Sequence, residues 1–172
     1  EVEGLPEALR EAGVELAEKK GKAGSWCFSL DAPMIVPFLT YAKNRQLRKT
    51  LFMANASKAF NDKFDNQENL KEILKLRTER AKILGFNTHA DYVLEERMAM
   101  SPKKVMDFLE ELYIKAKPHA EKEFKKLQAL AKELDGITDL QRYDSAYYSE
   151  ILKKRELDFD DEMLRPYFKL ES

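Results

Sequence analysis

Residues 101–134 read SPKKVMDFLEELYIKAKPHAEKEFKKLQALAKEL, and this stretch decides the fold class. Ser101 is a helix-capping residue and Pro102 suits the first helical position, where a missing N–H costs nothing. From there Val105, Leu109, Leu112, Ala116, Ala120, Phe124, Leu127, Ala131 and Leu134 recur at the three- and four-residue steps that put side chains on one helix face. The rhythm predicts one long helix, kinked at Pro118, which lacks an N–H and clashes one turn back. Gly136 ends it.

The same reading extends outward. Leu5, Leu9, Ala12 and Leu16 predict a helix closed by Gly21. Asp31-Ala32-Pro33 turns into a second, and a third runs from about Asn44 to Phe60 with Leu47, Leu51 and Ala54 on one side. Residues 61–66 form a polar loop. Asn66 is placed to cap a helix striped by Leu70, Ile73, Leu74, Ala81 and Leu84, with Gly85 at its left-handed end. Thr88 caps a shorter helix through Met98, and Asp144 a helix through about Lys154. Against this pattern, Ser25-Trp26-Cys27-Phe28-Ser29-Leu30 alternates and is aromatic, which predicts a short strand. Leu157-Asp158-Phe159 reads as extended, with Asp160 capping a last turn into Arg165-Pro166-Tyr167-Phe168. The expectation is an all-α, multi-helix array with one or two short strands. It forms one scaffold over 1–172 or two subdomains, 1–100 and 101–172.

The 172 residues carry 30 Lys and Arg against 31 Asp and Glu, interleaved along the chain. Such balance gives neither a nucleic acid nor an anionic membrane surface a basic patch to meet. The apolar run from Ala32 to Leu39 is broken by Pro33 and Pro37 and is too short to span a bilayer. Cys27, the single cysteine, excludes an internal disulfide framework and suits a reducing compartment, so a cytoplasmic location is expected. The chain starts at Glu1 without a Met, which leaves open a removed leader.

Catalytic signals are sparse. His89 and His119 are the two histidines, and neither belongs to an H-E-x-x-H, the motif that sets two metal ligands and a glutamate on one helix face. A zinc site from both histidines, Cys27 and a carboxylate is the alternative, but surface or boundary positions suit these histidines better. There is no G-x-S-x-G elbow, phosphate loop or dinucleotide fingerprint. Pairs such as Glu95-Glu96, Glu110-Glu111 and Asp160-Asp161 are expected by composition alone.

Three stretches, in order, resemble the thimet oligopeptidase and peptidyl-dipeptidase family of zinc metallopeptidases. The first is Trp26-Cys27-Phe28-Ser29-Leu30, then Pro33, Pro37-Phe38-Leu39-Thr40-Tyr41-Ala42 and Asn44-Arg45-Gln46-Leu47-Arg48. The second is Ile73-Leu74-Lys75-Leu76-Arg77, then Ala81-Lys82-Ile83-Leu84-Gly85-Phe86, Tyr92 and Arg97-Met98-Ala99. The third is Asp144, Tyr147-Tyr148 and Leu164-Arg165-Pro166-Tyr167-Phe168-Lys169-Leu170-Glu171. Tyr143 departs from the family, standing where many relatives carry Trp. The bacterial peptidyl-dipeptidase branch, with oligopeptidase A close behind, is the nearest likeness.

The resemblance implies a parent that hydrolyses short peptides with zinc. It also implies that H-E-x-x-H lies downstream of this chain and that the upstream helical domain is partly or wholly outside it. No family catalytic or metal-binding residue falls on a position here, so the chain by itself is expected to bind no zinc tightly and to cleave nothing. Its expected role is helical wall beside a channel for short peptides, with Tyr147 or Tyr148 presented to the substrate. Adjacent helical side chains diverge by about 100°, so one faces the channel while the other packs; the alternative makes both core residues. The expected partners are short peptides and the remainder of the peptidase, with self-association through Leu164, Tyr167, Phe168 and Leu170. The competing reading is a freestanding helical interaction module without enzymatic activity.

Overall fold

The computed structural model describes residues 2–158, 163, 164, 167 and 168. Among the described residues seven α-helices follow one another: α1 (Glu7–Lys19), α2 (Ala32–Tyr41), α3 (Arg45–Ala56), α4 (Gln67–Ile83), α5 (His89–Leu94), α6 (Pro102–Asp135) and α7 (Arg142–Leu157). The all-α expectation holds. Contacts gather the chain into two units, one of Glu1–Ala56 with Phe124–Ser172 and one of Ser57–Glu123.

Local chemistry sets the boundaries. The Ser101 hydroxyl accepts the Lys104 N–H at 3.3 Å, and α6 then begins at Pro102 and continues through Pro118 to Asp135. Thr88 caps α5 in a reciprocal box with Asp91: the Thr88 hydroxyl accepts the Asp91 N–H at 3.1 Å while the Asp91 carboxylate accepts the Thr88 N–H at 3.0 Å. This helix ends at Leu94, a turn before Met98. Beyond α4, Gly85 takes φ +85°, which lets its N–H reach the Lys82 carbonyl and the Phe86 N–H reach the Ala81 carbonyl. That pair of bonds closes a helix end only where the residue tolerates positive φ. Asp144 caps α7 from inside: the helix starts at Arg142, and the Asp144 carboxylate accepts the Gln141 N–H at 3.1 Å.

The expected strand is absent, and the described residues contain no strand. Ser25 to Leu30 runs irregularly beside α1. Its Cys27 N–H goes to the Gly13 carbonyl at 3.0 Å and its Ser29 N–H to the Met34 sulfur at 3.3 Å. These donors are spent on a helix and a side chain, so no ladder forms. The alternation is real, but it serves packing: Phe28 lies against Gly13, where an added Cβ would come within 3.0 Å of its ring. It also meets the Phe38 ring edge-on at 4.8 Å. The second extended reading also fails where it is described. Leu157 ends α7, and Asp158 closes the helix in the left-handed conformation, φ 49°. Phe159, Asp160, Arg165 and Pro166 lie outside the described residues.

Within the first unit, α2 packs on α3, α7 and α1, and α3 packs on α7. One core joins Leu5 and Leu9 to Phe38 and Ala42, with Phe28, Leu47 and Leu51 partly buried against it. A second joins Leu130 and Ala131 of α6 to Leu140 and Tyr148. Within the second unit α4 packs on α5. No helix among the described residues is long and apolar enough to cross a membrane.

Candidate functional site on helices α3 and α7

Arg45 and Arg48 stand one turn apart on α3 and so share a face. Opposite them, the first turn of α7 supplies Asp144, which is completely buried, as is Arg48 at 1% exposure. Arg48 Nη2 donates to Asp144 Oδ1 at 2.9 Å, and Arg45 donates to Oδ2 through Nη2 at 2.8 Å and to both oxygens through Nε at 3.1 Å.

A buried charge costs several kcal/mol in desolvation unless its hydrogen-bonding capacity is filled, and here it is filled. Arg48 Nη1 donates to the carbonyls of Ala42 at 2.8 Å and Lys43 at 3.0 Å, and Nε to that of Tyr143 at 3.3 Å. Burial would raise the Asp144 carboxyl, but the guanidinium bonds and the Gln141 N–H overcome it and hold the group below the ordinary carboxylate range.

Two cations facing one carboxylate leave positive charge over, and aromatic faces take it. The Arg48 guanidinium lies 4.1 Å from the centre of the Tyr147 ring and the Arg45 guanidinium 5.3 Å from that of Tyr143. Tyr143 thus gives Arg45 an aromatic face.

The two tyrosines singled out from sequence are brought to this cluster in different ways. Tyr148 is buried, 1% exposed, and its hydroxyl donates to Asp135 Oδ2 at 2.6 Å. Burial first, and then this bond to a carboxylate, push the Tyr148 phenol well above its ordinary value. Tyr147 is half-buried, meets the Tyr148 ring edge-on at 5.1 Å, and carries Arg48 on its face. Among the described residues its hydroxyl makes no hydrogen bond.

On the neighbouring side of α7, Ala146, Ser149 and Glu150 face Val36, Pro37 and Tyr41 of α2 across an open groove of about 430 Å³. Glu150 is buried there. Its Oε2 lies 2.8 Å from the Lys153 ammonium, while Oε1 has no hydrogen-bond partner among the described residues and sits 3.7 Å from the Lys154 ammonium.

The roles of Arg45, Arg48 and Asp144 escaped the sequence reading, although all three belong to its quoted motifs. The usable signal was a pair of arginines one turn apart on a helix face.

Zinc chemistry needs three or four converging ligands. Among the described residues no group of three or more His, Cys, Asp or Glu side chains could hold a metal ion. His89 opens α5, His119 lies on exposed α6, and Cys27 is half-buried beside α1. The described residues therefore do not fit a zinc site; the cluster ties α3 to α7 and sets the Arg48 guanidinium over the Tyr147 ring.

Residues 38–172 match peptidase family M3. Along 98% of its length the chain is 41% identical to Oligopeptidase A of Haemophilus influenzae and, over the same share, 40% identical to Oligopeptidase A of Escherichia coli. Along 97% it is 29% identical to Dipeptidyl carboxypeptidase of Escherichia coli. It spans about a quarter, 25%, of each of these relatives.

Proposed function

This chain belongs to peptidase family M3, and from that premise we propose that it works as the helical scaffold segment of a zinc-dependent oligopeptidase acting on short peptides. The observation that carries the reading is the likeness to oligopeptidases A, 40–41% identical along 98% of the chain. The lower identity to Dipeptidyl carboxypeptidase, 29%, favours an oligopeptidase over a peptidyl-dipeptidase. Since the relatives are about four times as long and the described residues do not fit a metal site, zinc and the catalytic groups belong to the other parts of such an enzyme. The 172 residues alone are then inactive.

In this reading α7 borders the substrate channel through Tyr147. Tyr148 spends its hydroxyl on Asp135, whereas Tyr147 keeps a hydroxyl to offer a peptide carbonyl and has its ring fixed by Arg48. A positioned phenol lets a channel grip main-chain groups without reading side chains, which suits an enzyme for varied peptides.

The test is kinetic and uses the polypeptide encoded by the complete reading frame. Tyr147→Phe keeps the ring and removes the hydroxyl. It should lower kcat/KM about 2- to 10-fold, the range of one neutral hydrogen bond made in the transition state, with an unchanged melting temperature. Tyr148→Phe should instead lower the melting temperature and leave kcat/KM unaltered. Wild-type kinetics in Tyr147→Phe would remove Tyr147 from the channel.

A further inference from the structure

In the unit Ser57–Glu123 two helices present apolar stripes to solvent. Every residue of α4 from Glu68 to Arg80 is exposed. Leu70, Ile73 and Leu74, with Leu84 a few turns on, share one face, and Leu70 and Leu74 are 60% and 62% exposed. Every residue of α6 from Met106 to Lys126 is likewise exposed, with Leu109 and Leu112 at the centre of its stripe. Most of a helix's stability in a protein comes from packing its apolar face. Among the described residues the short helix α5 is the one that packs on α4.

Some of the charges beside these stripes are matched within their own helices. On α4, Lys71 pairs with Glu68 and Lys75 with Glu72; on α6, Lys103 pairs with Asp107 and Lys115 with Glu111. What the exposed leucines and Ile73 of the two faces ask for is apolar cover.

We infer that the stripes of α4 and of α6 up to Glu123 are intramolecular docking surfaces, buried in the complete protein by peptidase chain outside these 172 residues. This rests on the proposed reading as part of a longer peptidase. The occupant follows from length: relatives that keep their likeness along 97–98% of the chain have three quarters of their own length beyond it. Tethered chain of that length also reaches the stripes at a far higher effective concentration than a second copy.

Hydrogen exchange, read helix by helix, tests this on the 172-residue chain and on the polypeptide encoded by the complete reading frame. Amides of α4 and of 106–123 should exchange at least about 100-fold more slowly in the longer polypeptide, independently of protein concentration. Leu74→Glu and Leu112→Glu should leave the helicity of the 172-residue chain unaltered, since both positions are exposed, yet remove about 10-fold or more of that protection in the longer polypeptide. Equal rates in the two proteins would overturn the inference. So would protection that rises with the concentration of the 172-residue chain and is no greater in the longer one, which would make the occupant a second copy. Peptide hydrolysis is measured on the same samples. Protection without hydrolysis defeats the functional reading alone, and hydrolysis without protection defeats the docking surfaces alone.

Discussion

Asp144 receives bonds from two guanidiniums and one backbone N–H with no solvent contact, so removing its charge strands Arg48 in the interior. Asp144→Asn and Arg48→Met should each cost about 3–5 kcal/mol in urea unfolding, while Arg45→Ala, at a partly exposed position, should cost about half as much or less. The pH dependence has two limbs. The Asp144 carboxyl is lowered in the folded protein, so its contribution is present above the unfolded value, about pH 4, and is lost as pH falls through the lower folded value. The Tyr148 phenol is raised, so its contribution is present below about pH 10 and is lost as pH climbs towards the folded value. Melting temperature against pH should show the acid limb flattened in Asp144→Asn and the alkaline limb flattened in Tyr148→Phe. At this scale the sequence offered the residues without their partners. Asp144 and Arg48 were visible as motif members, but their bond joins residues 96 apart, and no local pattern reports such a partner.

Helix ends were legible because they obey local chemistry. Thr88, Ser101-Pro102, Gly85 and Gly136 each mark a boundary through one backbone donor or one positive φ. The strand at Ser25–Leu30 was misread because alternation records which side chains are buried, whereas a strand also needs a neighbour to pair with. Gly13 and Phe38 supplied burial without pairing. Pro118 tests the element scale directly. It sits exposed in mid-α6, where it withholds an N–H from the Ile114 carbonyl. Pro118→Ala restores that bond and should raise helicity at 222 nm and the melting temperature, by up to about 3 kcal/mol of helix stability. A fall in either would mean that the proline at this position is itself needed by the packing.

At the scale of the whole molecule the motifs carried more than periodicity did. Helical rhythm alone reaches a helical protein. The ordered run from Pro37-Phe38 through Tyr147-Tyr148 to Leu164 reached the peptidase family to which the chain belongs. Leu164, Tyr167 and Phe168 are exposed, and our proposal is that a longer peptidase buries them as it does the stripes of α4 and α6; Leu170 lies outside the described residues. Self-association of the 172-residue chain through them belongs to the same proposal. The central claim is that these residues scaffold a zinc oligopeptidase and do not catalyse alone. Its most direct test is hydrolysis of a short quenched-fluorescent peptide by the 172-residue chain and by the polypeptide encoded by the complete reading frame, each before and after a chelator and after added zinc. The expected result is turnover by the longer polypeptide alone, abolished by the chelator and restored by zinc. Chelator-sensitive turnover by the 172-residue chain, or a longer polypeptide that cleaves nothing or ignores the chelator, would contradict the account.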